Sequence, residues 1–324
     1  MNILIQYTLI YAATLSLVAL GGMFAERSGV INLGLEGCMV IGALGGALIM
    51  QYLPTNLNAF LVIVIVFGIS MLSGILYSLL LAVASVTFKS DQTITGTALN
   101  ILAPAFATVI VKALTLARDG KAAPRLDYID LQKKFIFNIG KLELNWFIVV
   151  TVLLVIISYI ILYKTKFGLR LMSCGEHPQA AASVGINVIK MRYIGVIISG
   201  ALGGLGGIAF IASANSTWSF NNGVAGFGFL ALAVMIFGKW KPISIFLGAL
   251  LFGFFRALGA VYTSFDWLQA LNMNPSIYNG FTLCTGSLGS NLNNDLPKII
   301  RNPKIAERIH FAHIRNIKYE NKDL

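Results

Sequence analysis

The sequence predicts an all-α integral membrane fold, polytopic, with about 8–9 helical spans and room for broken or re-entrant helices. Three observations carry this. Hydrophobic residues make up 57% of the 324 residues and charged residues only 11%, where a soluble domain carries about a quarter charged. Apolar stretches of bilayer-crossing length recur along the chain and leave no room for a large soluble domain. The net charge of +11 comes from lysines and arginines at the ends of those stretches and in the tail. That placement follows the positive-inside rule and speaks against a nucleic-acid partner.

Spans are expected near 3–25, 29–50, 59–88, 93–117, 145–163, 191–214, 224–238 and 242–262. Each must be helical, because a backbone in lipid has to satisfy its own hydrogen bonds. The opening run Met1–Leu20 lacks a basic start and a small-residue cleavage site, and reads as a first span. Trp146 and Tyr163 bracket the fifth span as interfacial anchors. Residues 1–290 therefore read as a transmembrane domain and 291–324 as a basic C-terminal tail. Cys38, Cys174 and Cys284 are too far apart for a disulfide framework or a zinc site, and no metal or cofactor is expected.

Orientation follows from Lys164, Lys166, Arg170, Lys190 and Arg192, which put the stretch between the fifth and sixth spans in the cytoplasm. Lys239 and Lys241 agree. The stretch Arg118–Leu144 must then face outside, although it holds Arg118, Lys121, Arg125, Lys133, Lys134 and Lys141. The other loops outvote it.

Two regions share a texture of Gly and Asn running into an apolar helix, Ser28–Gly46 and Asn222–Gly238. Interrupted segments in matching positions of two halves point to a central transport path. Asn32 and Glu36 fall in the first, four apart and hence on one helix face. A carboxylate within a membrane is costly and a functional candidate by default. Its structural alternatives are a pair with Arg27 or a cap on a broken helix. Arg256 has three open roles: snorkelling, lining the path or pairing with Glu36. Further on, Pro104 has no N–H for the Asn100 carbonyl. Gln92, Thr93, Thr95 and Thr97 add hydroxyl and amide groups suited to a sugar or nucleobase, with interhelical hydrogen bonding as the alternative for each. Gly42/Gly46, Gly200/Gly204 and Gly203/Gly207 are small-xxx-small pairs for close helix packing.

The stretch Phe167–Lys190 interrupts the oily chain. Pro178 suits the first turn of a helix, His177 its cap and Gly185 its left-handed end. Glu176 lies where the dipole of that helix favours a negative charge. The expected helix, Pro178–Val184, is mainly alanine and cannot form a core of its own; it is suited to a groove on another protein.

Gly175-Glu-His-Pro-Gln-Ala-Ala-Ala-Ser-Val-Gly185-Ile resembles the cytoplasmic loop of permease subunits of ATP-binding-cassette importers. Glu26-Arg-Ser-Gly-Val-Ile-Asn-Leu-Gly-Leu-Glu-Gly37 and Asp91–Asn100 resemble further elements of the nucleoside and simple-sugar branch, as does Gly226–Pro242. The resemblance implies a helical permease of a bacterial cytoplasmic membrane, not an enzyme, that moves nucleosides by alternating access. It implies as partners an ATP-binding-cassette ATPase, a second permease subunit and an extracytoplasmic solute-binding protein, besides membrane lipid. Gly175, Glu176, Pro178, Ala181 and Gly185 would contact the ATPase; Asn32, Glu36, Gln92, Thr93 and Asn100 are the candidates for the path. No Gly-x-x-x-x-Gly-Lys-Ser/Thr loop or Gly-x-Ser-x-Gly motif is present. The competing reading is an autonomous secondary transporter with Glu36 as proton or cation site.

The resemblance fails after Pro275. Ile277–Ser290 is too short and polar to span, and a basic tail follows. Ile305, Ile309 and Ala312 share a helical face, so the tail is expected as a solvated segment or a membrane-surface helix.

Overall fold

The structure, a computed structural model, describes residues 2–261 apart from 121, 128–130, 132, 140–141, 215–216 and 221–222, together with 281–284 and 309–313. Residues 1–259 form one compact unit and 260–324 a second.

Apolar length decides the helices. α1 (Asn2–Arg27), α2 (Leu35–Tyr52), α3 (Ala59–Ala82), α4 (Gln92–Asp119) and α5 (Trp146–Lys164) are followed by two short helices, α6 (Lys166–Glu176) and α7 (Pro178–Ser183). Then come α8 (Val188–Ala214), α9 (Phe227–Phe237) and α10 (Pro242–Val261). α3 continues through one π-helical turn, Val83–Thr87. Seven of these helices are long and apolar enough to cross a membrane, as the expected fold class requires. The seventh expected span, 224–238, differs. α9 has 11 residues, about 16 Å of helix at 1.5 Å per residue, half a bilayer core. The second expected span also starts late, at Leu35 rather than residue 29.

Both departures are breaks with local causes. α1 ends in a left-handed glycine, Gly29 at φ +85°. The Gly29 and Val30 amides return to the Glu26 and Ala25 carbonyls, the pattern that closes a helix C-terminus. The chain then runs non-helically to Gly34 before α2 begins. Residues 223–226 form the corresponding break before α9, with Gly223, Ala225 and Gly226 all at positive φ.

α8 is the most buried of the long helices, packed between α1, α2 and α3. Its glycines permit this: a Cβ on Gly207 would lie 1.9 Å from the Met39 carbonyl oxygen, and one on Gly42 would lie 2.2 Å from Gly204 Cα. Such approaches bring backbones into contact, the usual basis of helix association in lipid. Short antiparallel strands pack against the helices. β1 (Arg125–Asp127) pairs with β4 (Thr217–Ser219), and β2 (Ile136–Ile139) with β3 (Leu142–Asn145). The Lys134 ammonium donates to the Thr55 and Leu57 carbonyls. One basic group of the 118–144 stretch is thereby tied to the turn between α2 and α3.

In the second unit β5 (Phe281–Cys284) lies parallel to β6 (Ile309–His313). Ile309 and Ala312, expected on a helix face or a solvated tail, are in that strand; Ile305 lies outside the described residues.

Replacing Gly207 with Ala forces the α2–α8 contact apart and is expected to cost about 1–3 kcal/mol. Gly68→Ala, where nothing lies within 4 Å of the added Cβ, is expected to leave stability unchanged or slightly raised. Thermal unfolding in mild detergent compares the two.

Candidate translocation site and cytoplasmic contact surface

A non-helical stretch inside a membrane leaves backbone donors and acceptors that must find partners. In the break between α1 and α2 the expected polar residues provide them. Gln92, at the start of α4, accepts the Ile31 amide through Oε1 at 2.7 Å. Asn100, two turns on, donates from Nδ2 to the Leu33 carbonyl at 2.7 Å and accepts the Gly37 amide at 2.8 Å. Asn32, fully buried, donates to the Ser199 hydroxyl of α8 at 2.8 Å. Thr93 takes no part; its amide is held by the Asp91 side chain, the N-cap of α4.

Glu36 sits in the first turn of α2. Its Oε1 accepts the Gly226 amide at 2.9 Å and its Oε2 the Gly228 amide at 2.6 Å, so it caps the start of α9. A negative group there satisfies orphan amides and the positive end of the helix dipole. The approach needs a glycine, since a Cβ on Gly228 would lie 2.5 Å from Glu36 N. Of the roles open to Glu36, the cap on a broken helix is the one seen. Arg27 faces Glu176 instead, and the Arg256 guanidinium lies 5.5 Å over the Phe227 ring. The two regions of like texture thus meet, with the starts of α2 and α9 adjoining at one carboxylate.

Beside this junction lies a cavity of about 440 Å³, lined by Glu36, Thr97, Asn100, Ile101, Pro104, Gly223, Ala225, Gly226 and Phe229. Of the expected path residues it brings together Glu36 and Asn100. Asn32 and Gln92 are not in its lining, and neither is Thr93. Phe229 and Ile101 were not foreseen; both are large apolar residues in apolar stretches, indistinguishable from lipid-facing positions in the sequence. The cavity combines an aromatic ring, apolar walls, a hydroxyl and a carboxylate, with the Asn100 carbonyl deprived of its Pro104 partner. Such a mixture suits a flat solute with polar edges. Ile101 is 77% and Phe229 50% exposed, so this subunit leaves the cavity open on one side.

The stretch 167–190 holds more structure than a loop with one helix. α6, unforeseen, is an amphipathic helix capped by Thr165, whose hydroxyl accepts the Gly168 amide. It buries Gly168, Leu171 and Cys174. Burial pushes the Cys174 thiol up, against the pull of Arg192, so it stays protonated at neutral pH. Gly175 packs on the end of α1, where a Cβ would lie 2.5 Å from the Arg27 carbonyl oxygen. Glu176 ends α6 and stands 3.7 Å from the Arg27 guanidinium. α7 starts at Pro178 as expected, with no side-chain cap from His177. It ends at Gly185, φ +82°, whose amide and that of Ile186 return to the Ala182 and Ala181 carbonyls. Ala181 faces inward, 3% exposed. Ala180, Ala182, Ser183 and Val184 are exposed. Leu169, Val184 and Ile189 add large apolar surface, placed by the basic flanks outside the lipid. Among the described residues no group of three His, Cys, Asp or Glu could hold a metal ion.

Broken helices adjoining at a polar cavity, with an exposed helical element against the end of α1, define a multi-spanning transport permease. The chain belongs to the family of branched-chain amino acid transport system permease components, whose model matches residues 4–281. It is 41% identical over 274 residues to a guanosine ABC transporter permease of Bacillus subtilis, covering 81% of this chain and 83% of that one. A nucleoside ABC transporter permease of Lactococcus lactis is 37% identical over 273 residues, with the same shares covered. A second family model, D-mannonate dehydratase, matches residues 251–324. A mannonate dehydratase of Shouchella clausii is 57% identical over 54 residues, 16% of this chain and 14% of its own length. No solved structure gives a significant match.

Glu36→Gln sets an amide donor against one of the two α9 amides it now accepts, and Asn100→Leu strands the Gly37 amide and the Leu33 carbonyl. Each is expected to lower stability by about 1–3 kcal/mol per stranded group, read as a fall in unfolding temperature of the purified protein.

Proposed function

We propose that this chain is a membrane-spanning subunit of an ATP-driven importer of nucleosides in a bacterial cytoplasmic membrane. The observation that carries the solute route is the cavity at the junction of α2 and α9, where Glu36, Thr97 and Asn100 meet Phe229. A nucleobase finds there a ring to stack on and acceptors for its edge. Two relatives bearing nucleoside names support the solute class.

The cavity is open on the side of Ile101 and Phe229, and a second permease subunit closes it in this reading. α6 and α7 present Leu169, Val184 and the exposed alanines to a cytoplasmic ATPase, and an extracytoplasmic binding protein delivers the solute. ATPase closure pushes α6–α7, and the spans rock around the cavity. An autonomous secondary transporter would need Glu36 free to take up a proton or cation, whereas both its oxygens accept backbone amides.

Affinity purification of the tagged chain in mild detergent is expected to recover an ATPase and a second permease. Recovery of the chain alone, stable and folded, contradicts the importer reading. In cells, Glu176→Lys is expected to lower nucleoside uptake at least about tenfold, the scale of 1.4 kcal/mol. Full ATPase assembly and full uptake in that variant contradict the role given to α6–α7.

A further inference from the structure

α9 touches the cavity at one end, and its other end is held in an unusual way. The turn from α9 into α10 places two consecutive non-glycine residues in the left-handed region, Lys239 at φ +51° and Trp240 at φ +52°. Such a residue is strained and persists only where its surroundings hold it. Trp240 is held from two sides. Its indole N–H donates to Glu26 Oε2 at 2.5 Å, and the Arg27 guanidinium donates to its carbonyl at 3.4 Å.

The same guanidinium stands 3.7 Å from Glu176, the last residue of α6, whose side chain is 71% exposed. An ion pair that exposed contributes little to stability. It is too weak to be a structural staple, and it can be made and broken at little cost. Between these groups lies a cavity of about 180 Å³, lined by Glu26, Arg27, Met172, Gly175, Glu176 and Trp240. It leaves α6 space to move against the ends of α1 and α9.

We propose that Glu26, Arg27 and Trp240 are positioning residues that couple the cytoplasmic helices α6–α7 to the half-span α9. The inference rests on the reading of α6–α7 as the ATPase contact. α9 is a stiff rod of 11 residues. Its far end is fixed to Glu36 by the Gly226 and Gly228 amides. Displacement of α6 shifts Arg27 through Gly175, which packs on its carbonyl; Arg27 and Glu26 carry Trp240 with them, and α9 tilts about its start at Glu36. The cavity wall at Phe229 moves as a consequence. The strained turn keeps the lever under load: with the Trp240 bonds gone, Lys239 and Trp240 relax and α9 is no longer tied to α6.

The test uses the assembled complex in proteoliposomes with guanosine-loaded binding protein, reading ATP hydrolysis and guanosine uptake together. Glu26→Gln keeps an oxygen for the indole N–H and is expected to match the unsubstituted complex within about twofold in both readings. Glu26→Ala and Trp240→Phe each remove that bond. In both, ATP hydrolysis is expected to persist within about twofold while guanosine moved per ATP falls about tenfold. Unchanged uptake per ATP in these two variants, or a loss of hydrolysis and uptake in proportion, overturns the proposal. If Trp240→Phe does not assemble, Glu26→Ala, which keeps the ring, decides. An unsubstituted complex that neither hydrolyses ATP nor moves guanosine contradicts the importer reading instead.

Discussion

The carboxylate of Glu36 between two backbone amides of α9 is the interaction on which the rest depends. In a bilayer, a break in a helix is tolerated only where every freed amide and carbonyl meets a partner away from lipid. This chain breaks twice, before α2 and before α9, and brings the two breaks together. Each supplies what the other lacks: the start of α9 offers orphan amides and a positive dipole end, and the start of α2 brings the one carboxylate. The glycine at 228 is the steric condition for that meeting. Gln92 and Asn100 hold the backbone of the first break from the side of α4, so the polar residues of α4 support the frame of the cavity as well as lining it.

From that junction the arrangement becomes directional. α9 leads to Trp240 beside the end of α1, and α2 leads away to the turn held by Lys134, so the two segments of similar texture run in opposite senses from a shared point. Such a pair of opposed half-structures is the geometry on which alternating access operates in other transporters. α8, held by backbone contacts to α2 and α3, forms a scaffold that does not yield easily. α9, short and fastened at both ends, is the element that this reading sets in motion.

Much of this was legible in the sequence, and the limits have physical causes. Hydropathy located each long helix among the described residues, because length and apolarity are what lipid demands. It misread 224–238 as a span, since an apolar half-span and an apolar full span differ only in where the helix starts, and three positive-φ residues at 223, 225 and 226 set that start. α6 was hidden because its buried face is Gly168, Leu171 and Cys174, a pattern too short and too mixed to stand out beside Pro178. Glu36 and Asn100 were legible as polar residues in apolar surroundings. The partners of Glu36 were not, because backbone amides leave no mark on side-chain identity. Near the C-terminus the resemblance was read as failing after Pro275, whereas the permease family model matches to residue 281 and the second model begins at residue 251. What succeeds the permease match, a stretch similar to mannonate dehydratases, carries no membrane signal from which it could be read.

That the cavity at the α2–α9 junction carries the solute is tested most directly at Thr97, which lines it without holding the frame. Thr97→Cys, in the assembled complex with Cys284 replaced by Ser and Cys38 and Cys174 buried, is treated with a membrane-impermeant thiol reagent with and without guanosine-loaded binding protein and ATP. The account predicts labelling of Cys at this position that slows when guanosine is being moved. Labelling by lipid-soluble reagents alone, or labelling that guanosine leaves unchanged, would contradict it.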